Sequence, residues 1–288
     1  MRGKIIKEIK MKKGINIWSF TGQSLEEVFC LAKKAGFEGV ELALAEDGEL
    51  NLNTTESGAL NIKKAADNAG IELYSLATGL YWSYNYTSEN TRDKAVDITK
   101  KQLEIASCLG CDTILVIPGA VGVDFIPDYK LIVNYKTAYE RALDALMELA
   151  PFAEKCGVVM GIENVWNKFL LSPIEMRDFI NKAGSPYIKA YFDVGNTVAT
   201  GYPEHWVHIL AKLIKKVHFK DYRRAVGGLA GFVDLLAGDV DYPAVVEALK
   251  SVGYDGWCSA EMIPAYNHYP EALIYNTSLA MDYILGRR

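Results

Sequence analysis

Glu163, Asp193, His218 and Glu261 are the residues of this chain whose types suit chemistry in combination. Each ends a short apolar run or sits near its end: Gly157-Val-Val-Met-Gly-Ile162 before Glu163, Ile188-Lys-Ala-Tyr-Phe192 before Asp193, Ile214-Lys-Lys-Val-His-Phe219 around His218, and Gly256-Trp-Cys-Ser-Ala-Glu261. Three carboxylates and one imidazole make an oxygen-rich donor set with one nitrogen. Such a set suits Mn²⁺, Mg²⁺ or Co²⁺ and holds Zn²⁺ less distinctively. Carboxylates brought together repel one another, and one divalent cation is their natural neutraliser. Singly, each residue has an ordinary reading. The glutamates suit a surface or a helix cap, Asp193-Val-Gly-Asn196 a turn, and His218 a hydrogen-bonded core position. Their recurrence at equivalent positions of four consecutive runs argues for one shared metal site.

The runs belong to a longer series. Four more precede them: Gly14–Phe20, Gly39–Leu44, Ile71–Ala77 and Thr113–Ile117. Rich in Val, Ile and aromatic residues, all eight have the near-continuous apolar character of strands buried on both faces. Helical segments lie between them. Ser24 and Glu27 form a capping box before Leu25 to Lys34, and Thr91 to Leu109 reads as one long helix. Leu131 to Lys155 is another, which Pro151 should kink or divide. Ser172-Pro173, Asp241-Tyr-Pro243 and Pro270 open three more, and glycine follows the end of several, as in Ala35-Gly36-Phe37. Eight strand–helix units predict an α/β fold, a single (β/α)8 TIM barrel, in which the C-terminal strand ends converge on the active site. A doubly wound dinucleotide-binding sheet would want G-x-G-x-x-G after its first strand, and Trp18-Ser-Phe-Thr-Gly-Gln23 does not supply it.

The 288 residues fit one such barrel, expected over 13–288, behind a basic N-terminal extension over 1–12. The net charge of -5 is uneven: residues 1–13 carry a local +5, which leaves the remainder at about -10. An acidic body argues against nucleic acid as a partner. No apolar run reaches the ~20 residues of a membrane span, and the N-terminus lacks the apolar region of a signal peptide. Five scattered cysteines suit a reducing, cytoplasmic setting, and Cys108-Leu-Gly-Cys111 falls at a helix C-terminus, the wrong end for a redox pair.

Gly161-Ile-Glu163-Asn164, Phe192-Asp193-Val-Gly-Asn196, Val217-His218-Phe-Lys220-Asp221 and Ser259-Ala-Glu261-Met262 resemble the motifs of the sugar phosphate isomerase/epimerase family, the xylose isomerase-like TIM barrels. The resemblance runs from about Lys13 to the end and is closest in character to the ketose 3-epimerases, L-ribulose-5-phosphate 3-epimerases among them. It implies one divalent metal, Mn²⁺ first, held by Glu163, Asp193, His218 and Glu261. It further implies that Glu163 and Glu261 act as the acid and base that invert C3 of a ketose or ketose phosphate through an enediolate. A homodimer or homotetramer follows from the same likeness.

Departures bear on the substrate. Asn196 stands where enzymes of the D-tagatose type carry a sugar-binding histidine, and Phe169 where they carry a sugar-contacting glutamate; both weaken a free-ketohexose assignment. Arg224 matches an arginine that aids substrate binding. In Leu236-Ala-Gly-Asp-Val-Asp241, leucine replaces the first glycine of a Gly-Glu-Gly-x-Val-Asp loop. Alternatives on the same scaffold are an inosose dehydratase or isomerase, a C-glycoside-cleaving subunit, an apurinic endonuclease-like hydrolase and a non-catalytic sugar-binding barrel. With four histidines in all, a histidine-rich three-zinc nuclease centre is disfavoured.

Specificity is expected from the rim. Lys220, Arg223 and Arg224 either grip a phosphate or carboxylate or form an ordinary solvated loop, and Lys220-Asp221 can pair locally. Trp18, Tyr81, Trp82 and Trp166 can wall a sugar pocket, with core packing or a subunit contact as the plain alternative. The Tyr81-Trp-Ser-Tyr-Asn-Tyr86 run reads as a lid or an oligomer contact. Glu41, in the second run, is placed to orient a ligand or substrate.

Overall fold

The computed structural model describes residues 10–288. Strands β1 (Lys12–Asn16), β2 (Gly39–Leu44), β3 (Glu72–Thr78), β4 (Thr113–Val116), β5 (Val159–Glu163), β6 (Ile188–Asp193) and β7 (Ile214–Phe219) are parallel. A two-stranded antiparallel hairpin follows, β8 (Asp221–Tyr222) and β9 (Phe232–Val233), and β10 (Trp257–Ala260) closes the barrel between β7 and β1. The helices are α1 (Leu25–Ala35), α2 (Glu56–Ala69), α3 (Arg92–Leu109), α4 (Tyr135–Cys156), α5 (Pro173–Ala183), the one-turn α6 (Gly195–Val198), α7 (Pro203–Leu210), α8 (Tyr242–Ser251) and α9 (Pro270–Ile284). This is the (β/α)8 barrel that the alternation predicts.

Local chemistry sets the boundaries. Ser24 and Glu27 close the capping box on α1, and Gly36 ends that helix at φ 92°, a left-handed conformation that glycine adopts without strain. Two expectations change. The helix expected from Leu131 starts at Tyr135, where the Asn134 side chain accepts from the first backbone N–H groups. Pro151 does not divide it. The carbonyl this proline leaves without an intrahelical donor is that of Met147, in an exposed turn where water can serve it. Most of the expected basic extension, residues 1–9, lies outside the described residues. Met11 is buried in the core and Lys12 opens β1, so the barrel includes residues ahead of 13.

The barrel interior is more polar than the usual layers of branched aliphatics. Tyr74 and Tyr191 fill it, and Tyr74 hydroxyl meets Ser259 Oγ at 2.5 Å. Gly14 makes room: a Cβ there would lie 2.3 Å from the Tyr74 hydroxyl. Two β-bulges interrupt the register, at Val40/Glu41 between β2 and β3 and at Ala190/Tyr191 between β6 and β7. Bulges re-aim side chains, and both of these adjoin residues that reach the site.

Candidate metal centre and substrate cavity

Parallel strand ends bring the four sequence-predicted ligands together. Glu163 ends β5, Asp193 ends β6 directly beside His218 of β7, and Glu261 follows β10 with its amide bonded to Phe219 O. One donor atom from each lies within 4.8 Å of all the others, and all four residues are buried. His218 Nδ1 is 3.2 Å from Glu261 Oε2, 3.3 Å from Glu163 Oε1 and 3.8 Å from Asp193 Oδ2.

Glu41 fixes the imidazole. His218 Nε2 lies 2.7 Å from Glu41 Oε2, so its proton donates there and Nδ1 faces the cluster. That carboxylate also accepts from Asn16 Nδ2 at 2.6 Å and from the Tyr191 hydroxyl at 2.5 Å. A carboxylate holding the far nitrogen of a histidine sets ring orientation and tautomer for metal binding. A second brace sits across β5 and β6. Asn164 Oδ1 accepts from Asp193 N and its amide donates to Asp193 O, both at 2.8 Å. Asn196 N donates to Asp193 Oδ1 at 2.8 Å, leaving Oδ2 turned to the cluster.

The charges do not balance. Four buried carboxylates, Glu41, Glu163, Asp193 and Glu261, share His218 and Lys220; even a protonated histidine leaves two negative charges over. Lys220 Nζ lies 2.5 Å from Glu261 Oε2 and 3.1 Å from Asp193 Oδ2, yet neither buried oxygen has a hydrogen bond of acceptable geometry. Burial lifts Glu163 to about 7 against the pull of His218. Burial would also raise Glu261, but Lys220 and His218 overcome it and hold that group at about 2. For His218 burial opposes the charge, and Glu41 and Glu261 outweigh it, raising its pKa well above the ordinary value. Two orphaned oxygens, an imidazole nitrogen aimed among carboxylates and more carboxylates than cations together fit one divalent cation, which would take the place of the Nδ1 proton.

A cavity of about 770 Å³ opens over the cluster. Glu163, Glu261, Lys220, Asn196, Trp18 and Trp166 all line it, as does Trp82. Asn196 is partly committed, since its side-chain Nδ2 donates to Asn164 O and its backbone carbonyl accepts from Trp166 Nε1. Other expectations fail. Arg224 is turned away: its guanidinium donates to Val198 O at 2.9 Å and Gly201 O at 3.3 Å and lies over the Tyr202 ring. Tyr81 is a core residue under α3, bonded to Thr99 and Gln102, and Tyr86 is pinned to the same threonine. These two anchors fasten the tyrosine-rich run, and Trp82 within it lines the cavity. Lys220 does not pair with Asp221, whose carboxylate instead accepts from the amides of Tyr222, Leu236 and Val240 and so organises the loop after β9. Leu236, at the position of that loop's first glycine, stands at φ 73°, in the left-handed region that favours glycine.

Asn16, Asn164 and Tyr191 escaped the sequence reading. Their signal was a polar side chain at or near a strand's C-terminal end, the same signal that marked Glu163. Phe125, from the loop after β4, Leu229, between β8 and β9, and Phe232, which opens β9, are also in the cavity wall and had none.

A family model described as a xylose isomerase-like TIM barrel matches residues 29–281. An uncharacterised protein of Methanocaldococcus jannaschii is 26% identical over 181 residues, 60% of this chain and 58% of that protein. A 2-epi-5-epi-valiolone 7-phosphate 2-epimerase of Actinoplanes sp. is 25% identical over 194 residues, 66% of each. The chain thus spans 58% and 66% of these two relatives. A D-psicose 3-epimerase crystal structure superposes with a TM-score of 0.77 over 96% of this chain and 100% of that one, at 19% identity, a likeness of fold.

Proposed function

The chain belongs to the xylose isomerase-like TIM barrel family, and on that footing we propose that it is a divalent-metal-dependent epimerase acting at C3 of a ketose or ketose phosphate. One observation carries the reading. Two buried glutamates, from β5 and from the end of β10, both face the cavity and both border the same charge-deficient cluster. Glu163, Asp193, His218 and Glu261 would hold the metal, Mn²⁺ before Mg²⁺, Co²⁺ or Zn²⁺ on the donor set. Bound there, it would polarise the ketose carbonyl and make the C3 proton acidic enough for a carboxylate to remove. One of Glu163 and Glu261 takes that proton and the other returns one to the opposite face, which inverts the centre. Glu41 keeps His218 in its tautomer, and Lys220 offsets the negative charge that gathers between Asp193 and Glu261. Trp18 and Trp166 offer ring faces to the C–H surface of the sugar.

The proposal extends to a homodimer or homotetramer, supported by exposed Tyr275, Leu279 and Tyr283 along one stripe of α9. It extends also to a cytoplasmic setting, which the five free cysteines suit; among the described residues no helix is long and apolar enough to cross a membrane. The test is incubation of ketoses and their phosphates with the protein and Mn²⁺ in deuterated water. Exchange at C3 without loss of water is expected, and EDTA should stop it. Loss of water instead would point to a dehydratase, and no metal-dependent exchange would end the epimerase reading.

A further inference from the structure

The cavity over the cluster has a neighbour. A second chamber of about 630 Å³ lies beside it, and Phe125, Val165, Trp166, Asn196 and Leu229 line both. Either volume falls within the roughly 300–1,000 Å³ that houses a drug-sized ligand, and a lone monosaccharide needs less. Trp166 is a fixed partition. Its indole N–H donates to Asn196 O at 2.9 Å, and its ring packs against Tyr222 and Phe232 at 5.3 and 5.0 Å.

Charge around the two chambers is spent. Among the described residues that line them the cations are Lys220 and Lys168. Lys220 is held by Asp193 and Glu261, and Lys168 Nζ pairs with Asp124 at 2.7 Å. Arg223 and Arg224, the other positive groups of this rim, donate to backbone carbonyls. Neither arginine lines a chamber, and a phosphate bound in either one would have to compete with Asp193, Glu261 or Asp124 for its charge-assisted hydrogen bonds. The surface is instead apolar. Leu171, Leu229 and Ile263 stand about half exposed or more at the rim, where water gains nothing from them.

We propose that the substrate is a ketose whose far end carries a ring-sized apolar substituent in place of a phosphate, with the sugar over the cluster and the substituent beyond Trp166. The inference rests on the ketose epimerase reading for its sugar half. Apolar walls and a rigid indole recognise such a substituent by burial and ring stacking at little entropic cost.

Three probes that differ only at C6 test it: D-fructose, D-fructose 6-phosphate and 6-O-benzyl-D-fructose. Each is titrated into the Mn²⁺-supplied protein by tryptophan fluorescence, with C3 deuterium exchange followed in parallel. The benzyl compound should bind about 10-fold more tightly than either other probe, a difference of about 1.4 kcal/mol. Ala199→Trp, at an exposed position of the second chamber, should cut that preference below about 3-fold, and Thr200→Trp serves equally should the first variant misfold. Fructose 6-phosphate binding as tightly as the benzyl compound, no saturable binding of the benzyl compound, or a preference indifferent to both fillers would overturn the inference. Exchange that favours the phosphate rejects this substrate class and keeps the epimerase. A benzyl preference without exchange on any probe supports the two-chamber site and rejects the epimerase.

Discussion

At the N-terminal end of the barrel Asp112 accepts from Lys215 and Lys216, each at 2.7 Å, whereas at the C-terminal end four carboxylates share one lysine and one imidazole. Both ends bury charge in the same scaffold. Lys216 is enclosed at the lower end, over the Tyr74 ring, and burial lowers its pKa against the pull of Asp112. Burial likewise works to raise Asp112, but the two lysines prevail and hold it at about 2. The enclosed Lys216 is thus matched by Asp112, while Lys215 on the same carboxylate reaches solvent, and the pairing stabilises the barrel. The upper ones leave Asp193 Oδ2 and Glu261 Oε2 without hydrogen bonds, an arrangement that stability alone would not select. In this fold a buried charge deficit, more than buried charge itself, separates a site from a brace.

The largest test of that contrast is Glu261→Gln. It should lower C3 exchange about 10³-fold, read by NMR, with the fold intact by circular dichroism. Undiminished exchange with metal still bound would remove Glu261 from the acid–base pair. Next, Glu41→Gln should weaken Mn²⁺ binding about 10- to 100-fold by calorimetry, since the imidazole loses its anionic brace. An unchanged affinity would reduce Glu41 to a packing role.

At the matched end the effect should be smaller and should depend on pH. The folded pKa of Asp112 lies below its ordinary 3.8, so its stabilisation is present above about pH 4 and is lost as pH falls toward 2. Its carboxylate is about half exposed, and after solvent screening Asp112→Asn should cost about 1 kcal/mol at pH 7. The gap from the parent chain should close on acidification. Denaturant melts at pH 7 and pH 3 check this, and a pH-independent gap would contradict the pairing. The smallest effect concerns the loop that Asp221 organises below the cavity rim. Leu236 holds φ 73° while its side chain is exposed, so Leu236→Gly should stabilise by about 1 kcal/mol, seen as a rise in Tm. A loss of stability would mean that the leucine side chain packs to some purpose.

Much of the barrel was legible because its determinants are local. Strand period, serine caps and terminal glycines act within a few residues, so α1 and seven of the eight barrel strands appear close to where the sequence places them; the first, expected over Gly14–Phe20, runs Lys12–Asn16 and gives way to a 3-10 turn. The four ligands were legible for the same reason: a barrel strand's end has one destination. Arg224 was not, because a long side chain on a loop is steered by whichever carbonyls stand nearby, here Val198 and Gly201. Tyr81 misled as well, since aromatic type fits a sugar wall and a helix-covered core equally.

The sequence by itself therefore determined the closed parallel barrel and which carboxylates and imidazole meet at its rim, through alternation and strand direction. Tertiary structure alone decided what those groups face. Glu41 reaches His218 across the barrel and is held there by Tyr191, Lys220 turns inward to Asp193 and Glu261, and Trp166 parts one cavity from another. Contacts between residues as distant in sequence as Glu41 and His218 depend on distances across the closed barrel, and no local pattern encodes those.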